Sequence, residues 1–482
     1  MTVHDDHTSV NPFLAGNFAP VHDEVHVDHL EVIGELPRDL HGMFLRTGPN
    51  PQFEPGDKYH WFDGDGMLHG VHLEDGVASY RNRWVRTVGF GHERDAGKKL
   101  WSGFGEMPQF ESPPHGLLRK NVANTALVHH DGSLLALWEA GEPHEISLPD
   151  LETVGPKTWG GQLSCPFTAH PKVDRATGEM LFFGYNPMGP EHLHYGRVSA
   201  DGQSVKIVPI EIPRGVMMHD FAITSKYTIF LDLPLVFEPM RILQGDLPFA
   251  FKSDLPSRYG IVPRHGDNGD IRWFEGPPCY MFHTLNAWDD GDEVVLVGCR
   301  TETTSIAAPP GHSDQDGAHS HHVVLAQEDA ELGRLHEWRF NMATGEMKET
   351  PLDDAPADFP RLHGDLVGHR SRYGYAARFC PTLPGTPPTF DAVVKYDVET
   401  GGSSTHHFGA NRYAGEAVFA PRPGASEEDD GWVVTILRDE AAERSELIVV
   451  DAQHMDAEPV ARVLLPQRVP YGFHAEWVTF TS

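Results

Sequence analysis

Four of the 31 histidines occupy apolar or aromatic surroundings at the edges of expected strands: His170 in FTAHPK, His219 in MMHDFAI, His283 in YMFHTLNAW and His474 in YGFHAEW. An imidazole is costly to bury in such a place unless both ring nitrogens find partners. Any one of them taken singly reads as a hydrogen-bonded core histidine. As a set they read differently, because 49, 64 and 191 residues separate them and each falls in a different run of strands. In a radial fold, strands from separate units converge near one axis, so four imidazoles can meet at one ion. Zinc usually takes a closed set with sulfur, or three ligands and water, whereas imidazole-only sets also suit iron. An octahedral iron with four His ligands keeps two positions open.

The elements that must position these side chains read as hairpins. HPKVDRATGEMLFFGYN (170–186), WDDGDEVVLVGCR (288–300), WRFNMATGEMKET (338–350) and KYDVETGGSSTHHF (395–408) each place Gly beside a polar residue between two apolar runs. Many hairpins in series predict a propeller or a large sandwich. Helix-compatible stretches are few, with HERDAGKKLWSGF (92–104) the best, and none alternates with strands as a parallel sheet requires. Segments 234–256, apolar, and 307–322, polar, read as long loops. No linker divides the chain, so residues 1–482 are expected to form one domain.

The bulk properties exclude some partners. With 70 acidic and 38 basic residues, a formal charge of −32 repels phosphate backbones and anionic headgroups, so nucleic acid is not an expected partner. Cys165, Cys279, Cys299 and Cys380 form no CxxC pair, which predicts reduced buried thiols rather than a thiolate metal site. The start, MTVHDDHTSV, lacks a basic segment followed by an apolar run, and no stretch approaches about 18 apolar residues. A cytoplasmic protein, soluble or held at a membrane surface, is expected.

Nearly the whole chain resembles the carotenoid cleavage oxygenases, a family that includes stilbene-cleaving and retinoid-isomerising relatives. The resemblance runs through NPFLAGNFAPV (11–21), GELPRDLHGMFLRTGPNPQF (34–53), YHWFDGDGMLHGV (59–71), YRNRWVRT (80–87) and ANTALVHHDGSLLALWEAGEPHEI (123–146). It continues in TAHPKVDRATGEMLFFGY (168–185), MHDFAIT (218–224), DFPR (358–361) and VPYGFHAEW (469–477). It implies a seven-bladed β-propeller, capped by loops and short helices, with Fe(II) held by His170, His219, His283 and His474. It also implies three carboxylates, Glu139, Asp358 and Glu416, accepting the free ring N–H of ligand histidines and so fixing their tautomer and orientation. Asp358 stands where the family pattern has Glu. The missing methylene requires the backbone to move inward or a water to bridge.

The chemistry implied is O₂-dependent cleavage of a substrate C=C bond to two carbonyl products, with no protein nucleophile or general base. The partners are thus a small apolar alkene and O₂. In phenol-cleaving relatives a Lys precedes the first carboxylate and a Tyr follows the VRT motif; here these places hold Trp138 and, as nearest aromatic, Phe90. A phenol hydroxyl without those contacts loses about 1 to 3 kcal/mol each, so a carotenoid or apocarotenoid is the expected substrate. Phe62, Phe90, Trp138 and Phe282 are candidates to line its tunnel, with ordinary core the competing reading.

Other features have plainer readings. Leu235, Phe237, Leu243, Leu247, Phe249 and Phe251 in segment 234–256 resemble the apolar patch that relatives use to reach membrane-dissolved substrates, or else a self-packed loop. His319, His321 and His322 read as a solvated loop rather than a metal site, and Glu427, Glu428, Asp429 and Asp430 as a wet surface turn rather than a calcium site. Two alternatives remain: cleavage of a phenolic stilbene or phenylpropanoid by the same iron chemistry, and a catalytically inactive propeller that serves as a binding module. The shared ligand set also leaves isomerisation open.

Overall fold

The computed structural model describes residues 11–56, 59–104, 106–244, 247–304, 331–380 and 388–480. All four hairpins anticipated above form, and each turn carries a glycine in the left-handed region: Gly178, Gly291, Gly345 and Gly401. Asx turns shape three of them. Asp174 accepts from Ala176 N at 2.9 Å, Asn341 from Thr344 N at 2.8 Å, and Asp397 from Thr400 N at 3.1 Å. The strands they join are apolar on both faces in places: Gly431–Asp439, GWVVTILRD, is buried along almost its whole length.

Antiparallel meanders follow one another along the chain. Four are four-stranded sheets within residues 126–156, 172–210, 221–276 and 280–351. A ten-stranded sheet holds two more, within 357–407 and 418–464, linked where Arg412–Ala414 pairs with both Phe390–Asp397 and Gly431–Asp439. The first sheet combines strands from residues 26–84 with Ala475–Thr479, which pairs with Gly42–Pro49. Reciprocally, Val32–Gly34 pairs with Ala461–Leu464 of the last sheet. The two ends of the chain are therefore woven into each other's sheets.

The core lies between sheets. Leu127, Leu134 and Ile146 pack with Met43, Leu45 and Leu68 of the first sheet. Val128 and Leu135 pack with Met180 and Phe182, and Phe183 and Tyr195 with Phe221 and Phe230. Leu231 and Tyr259 meet Leu296 and Trp338, and Val297 meets Ala376 and Val394. Tyr375 and Val393 meet Val433 and Ile448. Finally Trp432, Val434 and Val449 return to Phe44, Val71 and Tyr80 of the first sheet.

Two local expectations need correction. The helix is Val88–Ala96, four residues earlier than the 92–104 segment: Thr87 caps it by accepting from Phe90 N at 3.1 Å, and Gly97, at φ 67°, ends it. Segment 234–256 is not a plain loop, since Leu235–Phe237 and Phe249–Phe251 pair as a ribbon around the 3₁₀ turn Pro239–Gln244. The acid run lies in a surface turn, as expected, and its carboxylates are tied into the fold. Glu428 accepts from the Arg372 and Tyr373 amides, Asp429 pairs with Lys395 at 2.5 Å, and Asp430 with Arg422 at 2.8 Å. Segment 307–322, with His319, His321 and His322, lies outside the described residues. No described helix is long and apolar enough to cross a membrane.

Candidate metal centre

Each of the four histidines sits on or just before an edge strand of its sheet. His170 precedes Lys172–Val173, His219 precedes Phe221–Ile223, His283 lies within Tyr280–Asp290, and His474 precedes Ala475–Thr479. Register shifts flank Thr284, and such bulges re-aim neighbouring side chains. One ring nitrogen from each of the four lies within 4.8 Å of all the others. His170 Nε2 is 3.0 Å from His219 Nε2, which is 3.2 Å from His283 Nε2. The rings meet edge to face, with His170 and His474 at 89°.

Carboxylates stand behind three of the rings. His219 Nδ1 contacts Glu139 Oε1, His283 Nδ1 is 2.8 Å from Asp358 Oδ1, and His474 Nδ1 is 3.1 Å from Glu416 Oε1. Asp358 reaches its imidazole directly. The strand Ala357–Arg361 shifts register between Asp358 and Arg361, and Phe359 takes φ 54°, so the irregularity lies directly beside Asp358. Phe359 then stacks on His283 at 5.0 Å. Among the described residues, no carboxylate lies within ion-pair distance of His170.

The electrostatics follow from this arrangement. Burial, then the neighbouring imidazoles, push His170 and His474 well below the ordinary histidine value, so both are neutral. Burial acts the same way on His219, but Glu139 outweighs it and the net shift is upward. Where Nδ1 donates its proton to a carboxylate, Nε2 carries a lone pair. At His219 and His283, both backed by carboxylates, the two lone pairs face each other at 3.2 Å and repel unless a cation lies beside them. The donor set thus fits one divalent metal ion, with the outer carboxylates offsetting its charge.

Several supporting residues carried no signal in the sequence. Tyr185 donates to Glu139 Oε2 at 2.9 Å. Ala475 N donates to Glu416 Oε2 at 2.5 Å, and Arg361 lies close enough to lower the Glu416 carboxyl, whose net shift is upward because burial dominates. Asp220, paired with Lys172 at 2.7 Å, accepts from Thr284 N and anchors the bulge beside His283.

His219, His283 and His474 face a cavity of about 840 Å³. Phe62, Trp138 and Phe282 line it, with Phe104, Phe359 and Phe473. Phe90 does not: it is 3 % exposed and packs towards Trp84, because the helix that starts at Val88 turns it inward. The mouth is rimmed by exposed Met107, Phe110, Leu118, Met188, Met240 and Leu243. Charged groups interrupt the apolar wall, among them Lys120, whose Nζ lies 2.5 Å from both Asp65 and Glu93.

The four-histidine group could hold a metal ion, and comparison with known proteins specifies the family. The retinal pigment epithelial membrane protein family matches residues 18–479. A carotenoid 9,10(9',10')-cleavage dioxygenase of Pisum sativum is 41% identical, over 97% of this chain and 90% of that protein. Among solved structures, a lignostilbene dioxygenase of Pseudomonas brassicacearum superposes with a TM-score of 0.87 at 32% identity, covering 99% of this chain and 100% of that one. A cobalt-substituted ACO, the apocarotenoid oxygenase of Synechocystis, gives 0.80 at 29% identity, covering 96% and 97%. The chain belongs to the retinal pigment epithelial membrane protein family, that of the carotenoid cleavage oxygenases.

Proposed function

We propose that this chain is a single-domain, seven-bladed β-propeller dioxygenase that uses one Fe(II) to cleave a C=C bond of a carotenoid or apocarotenoid with O₂. The observation that carries the reading is the convergence of four imidazoles, three of them backed by carboxylates and facing a largely apolar cavity. Seven hydrophobic clusters, each between one meander and the next and the last returning to the first sheet, support the blade count.

Bound Fe(II) would be held by His170, His219, His283 and His474 and supplies the redox chemistry that activates O₂. The remaining work belongs to the protein. Glu139, Asp358 and Glu416 hold the imidazoles in one tautomer, while Phe62, Trp138 and Phe282 exclude water and orient an extended apolar chain. Both atoms of O₂ and both carbons of the double bond are accounted for by two carbonyl products. The exposed apolar rim, including Met240 and Leu243 of the 234–256 segment, suits contact with a lipid surface from which such a substrate enters.

Structural likeness to the lignostilbene dioxygenase keeps a phenolic alkene as the second reading. Trp138 in the cavity wall offers no amine to a phenol there. Iron-loaded protein incubated with a panel of apocarotenals is expected to yield shorter aldehydes. Cleavage of hydroxystilbenes alone would overturn the substrate class. Failure to bind Fe(II) under reducing, chelator-free conditions would favour a non-catalytic binding module.

A further inference from the structure

We propose a second metal site, for a first-row divalent cation such as zinc, formed by His41, His72 and Glu74 on the first sheet. Strand register brings these residues together. Gly42 pairs with Leu73 and Met43 with His72, so His41 stands opposite Glu74, and His72, two residues away, shares that face. On the neighbouring strand Gly42 pairs with Thr479, which brings Phe480 to the same corner. One donor atom from each of the three residues lies within 4.8 Å of the others.

Two observations point to a cation rather than a hydrogen-bonded group. His41 Nε2 lies 3.5 Å from Glu74 Oε1, longer than an N–H···O bond. Two ligands on one tetrahedral ion, with bonds of about 2.0 to 2.1 Å, sit roughly 3.3 to 3.4 Å apart. In addition, His72 Nε2 is shut off from solvent without a hydrogen-bond partner, while its ring lies edge-on to Phe480 at 5.1 Å. Burial lowers the His72 pKa, and a neutral imidazole is the form that ligates. Two imidazoles and one carboxylate suit zinc and its neighbours in the first row, not calcium or magnesium, which prefer oxygen ligands.

The site is separate from the four-histidine centre. Thr47, whose amide donates to the His474 carbonyl, lies six residues along the chain from His41, roughly 20 Å at the usual strand rise. A cation there joins the start of Gly42–Pro49 to the end of Gly66–Glu74, beside the strand Ala475–Thr479 that binds the chain's two ends together. Its role is that of a structural clamp at this closure.

Zinc added to the full-length, iron-loaded protein, with both metals quantified after equilibrium dialysis, tests the proposal. Wild type is expected to take up one equivalent of zinc with its iron retained and its melting temperature raised. His41→Ala and Glu74→Gln are both expected to weaken zinc at least about 10- to 100-fold, the loss usual even for an outer partner of a metal ligand. Their iron content and alkene cleavage are expected to stay at wild-type levels. No zinc beyond the amount of iron displaced, or an extra equivalent that persists in both variants, would overturn the assignment. In wild type, cobalt(II) should show the visible absorption of tetrahedral coordination; an octahedral spectrum counts against the site.

Discussion

Replacing Glu416 by Gln tests the reasoning about the outer carboxylates most sharply. Glu416 is 2 % exposed, and its two oxygens accept two donors, His474 Nδ1 at 3.1 Å and Ala475 N at 2.5 Å. A glutamine amide has one oxygen to offer and presents an NH₂ group to the other donor. If the oxygen stays with Ala475, the NH₂ faces His474 Nδ1. The imidazole must then carry its proton on Nε2 and loses the lone pair it directs at its three neighbours. If the oxygen turns to His474, the buried Ala475 N–H is left unpaired, at about 1 to 3 kcal/mol of stability. In either arrangement the variant loses a negative charge from beside the metal. Iron affinity is expected to fall about 10- to 100-fold, which is about 1.4 to 2.8 kcal/mol. Anaerobic chelator competition measures the first effect and denaturant melts of the metal-free protein the second. A variant that binds iron as wild type does, or one that loses stability with unchanged iron affinity, would refute the view that Glu416 sets the tautomer of His474.

Other substitutions probe separate links. Asp358→Glu adds a methylene to a buried side chain that already reaches His283 at 2.8 Å, so it is expected to cost about 1 to 3 kcal/mol and to weaken iron binding. Unchanged melts and iron affinity would mean that the site accommodates the longer side chain. Lys120→Met leaves Asp65 and Glu93 buried without their cation and is expected to destabilise by about 3 to 5 kcal/mol; a loss of under about 1 kcal/mol would rank the triad with exposed ion pairs. The Asp174 carboxyl accepts from Arg264 Nη1 at 2.5 Å and His369 Nε2 at 3.1 Å; burial opposes ionisation there, but these partners outweigh it and hold its pKa below the usual 3.8. Its contribution is therefore complete above pH 3.8 and lost as pH falls through the lower folded value. Asp174→Asn should flatten the acid limb of the stability curve, and an unaltered slope in urea melts across that range would contradict the assignment.

Local chemistry made much of this protein readable from its residues. The hairpins announced themselves because Gly178, Gly291, Gly345 and Gly401 sit beside polar residues between apolar runs, and turn geometry is decided within a few residues. The four histidines read singly as core residues and stood out through their distribution over separate runs of strands and through family motifs, and Glu139, Asp358 and Glu416 through motifs alone. The tertiary structure alone decided how those parts meet. Whether Asp358 could reach His283 depended on how their strands pack, and whether Phe90 faced the cavity depended on where Thr87 started the helix. Tyr185, Arg361 and the Lys120 triad gained their meaning only from neighbours far along the chain. The pairing of His41 with His72 and Glu74 likewise waited on strand register. The physical reason is one of range: side-chain alternation and turn propensity are local, whereas a site is a coincidence of distant strands, and the separation of 191 residues between His283 and His474 is closed only by the packing of sheet on sheet.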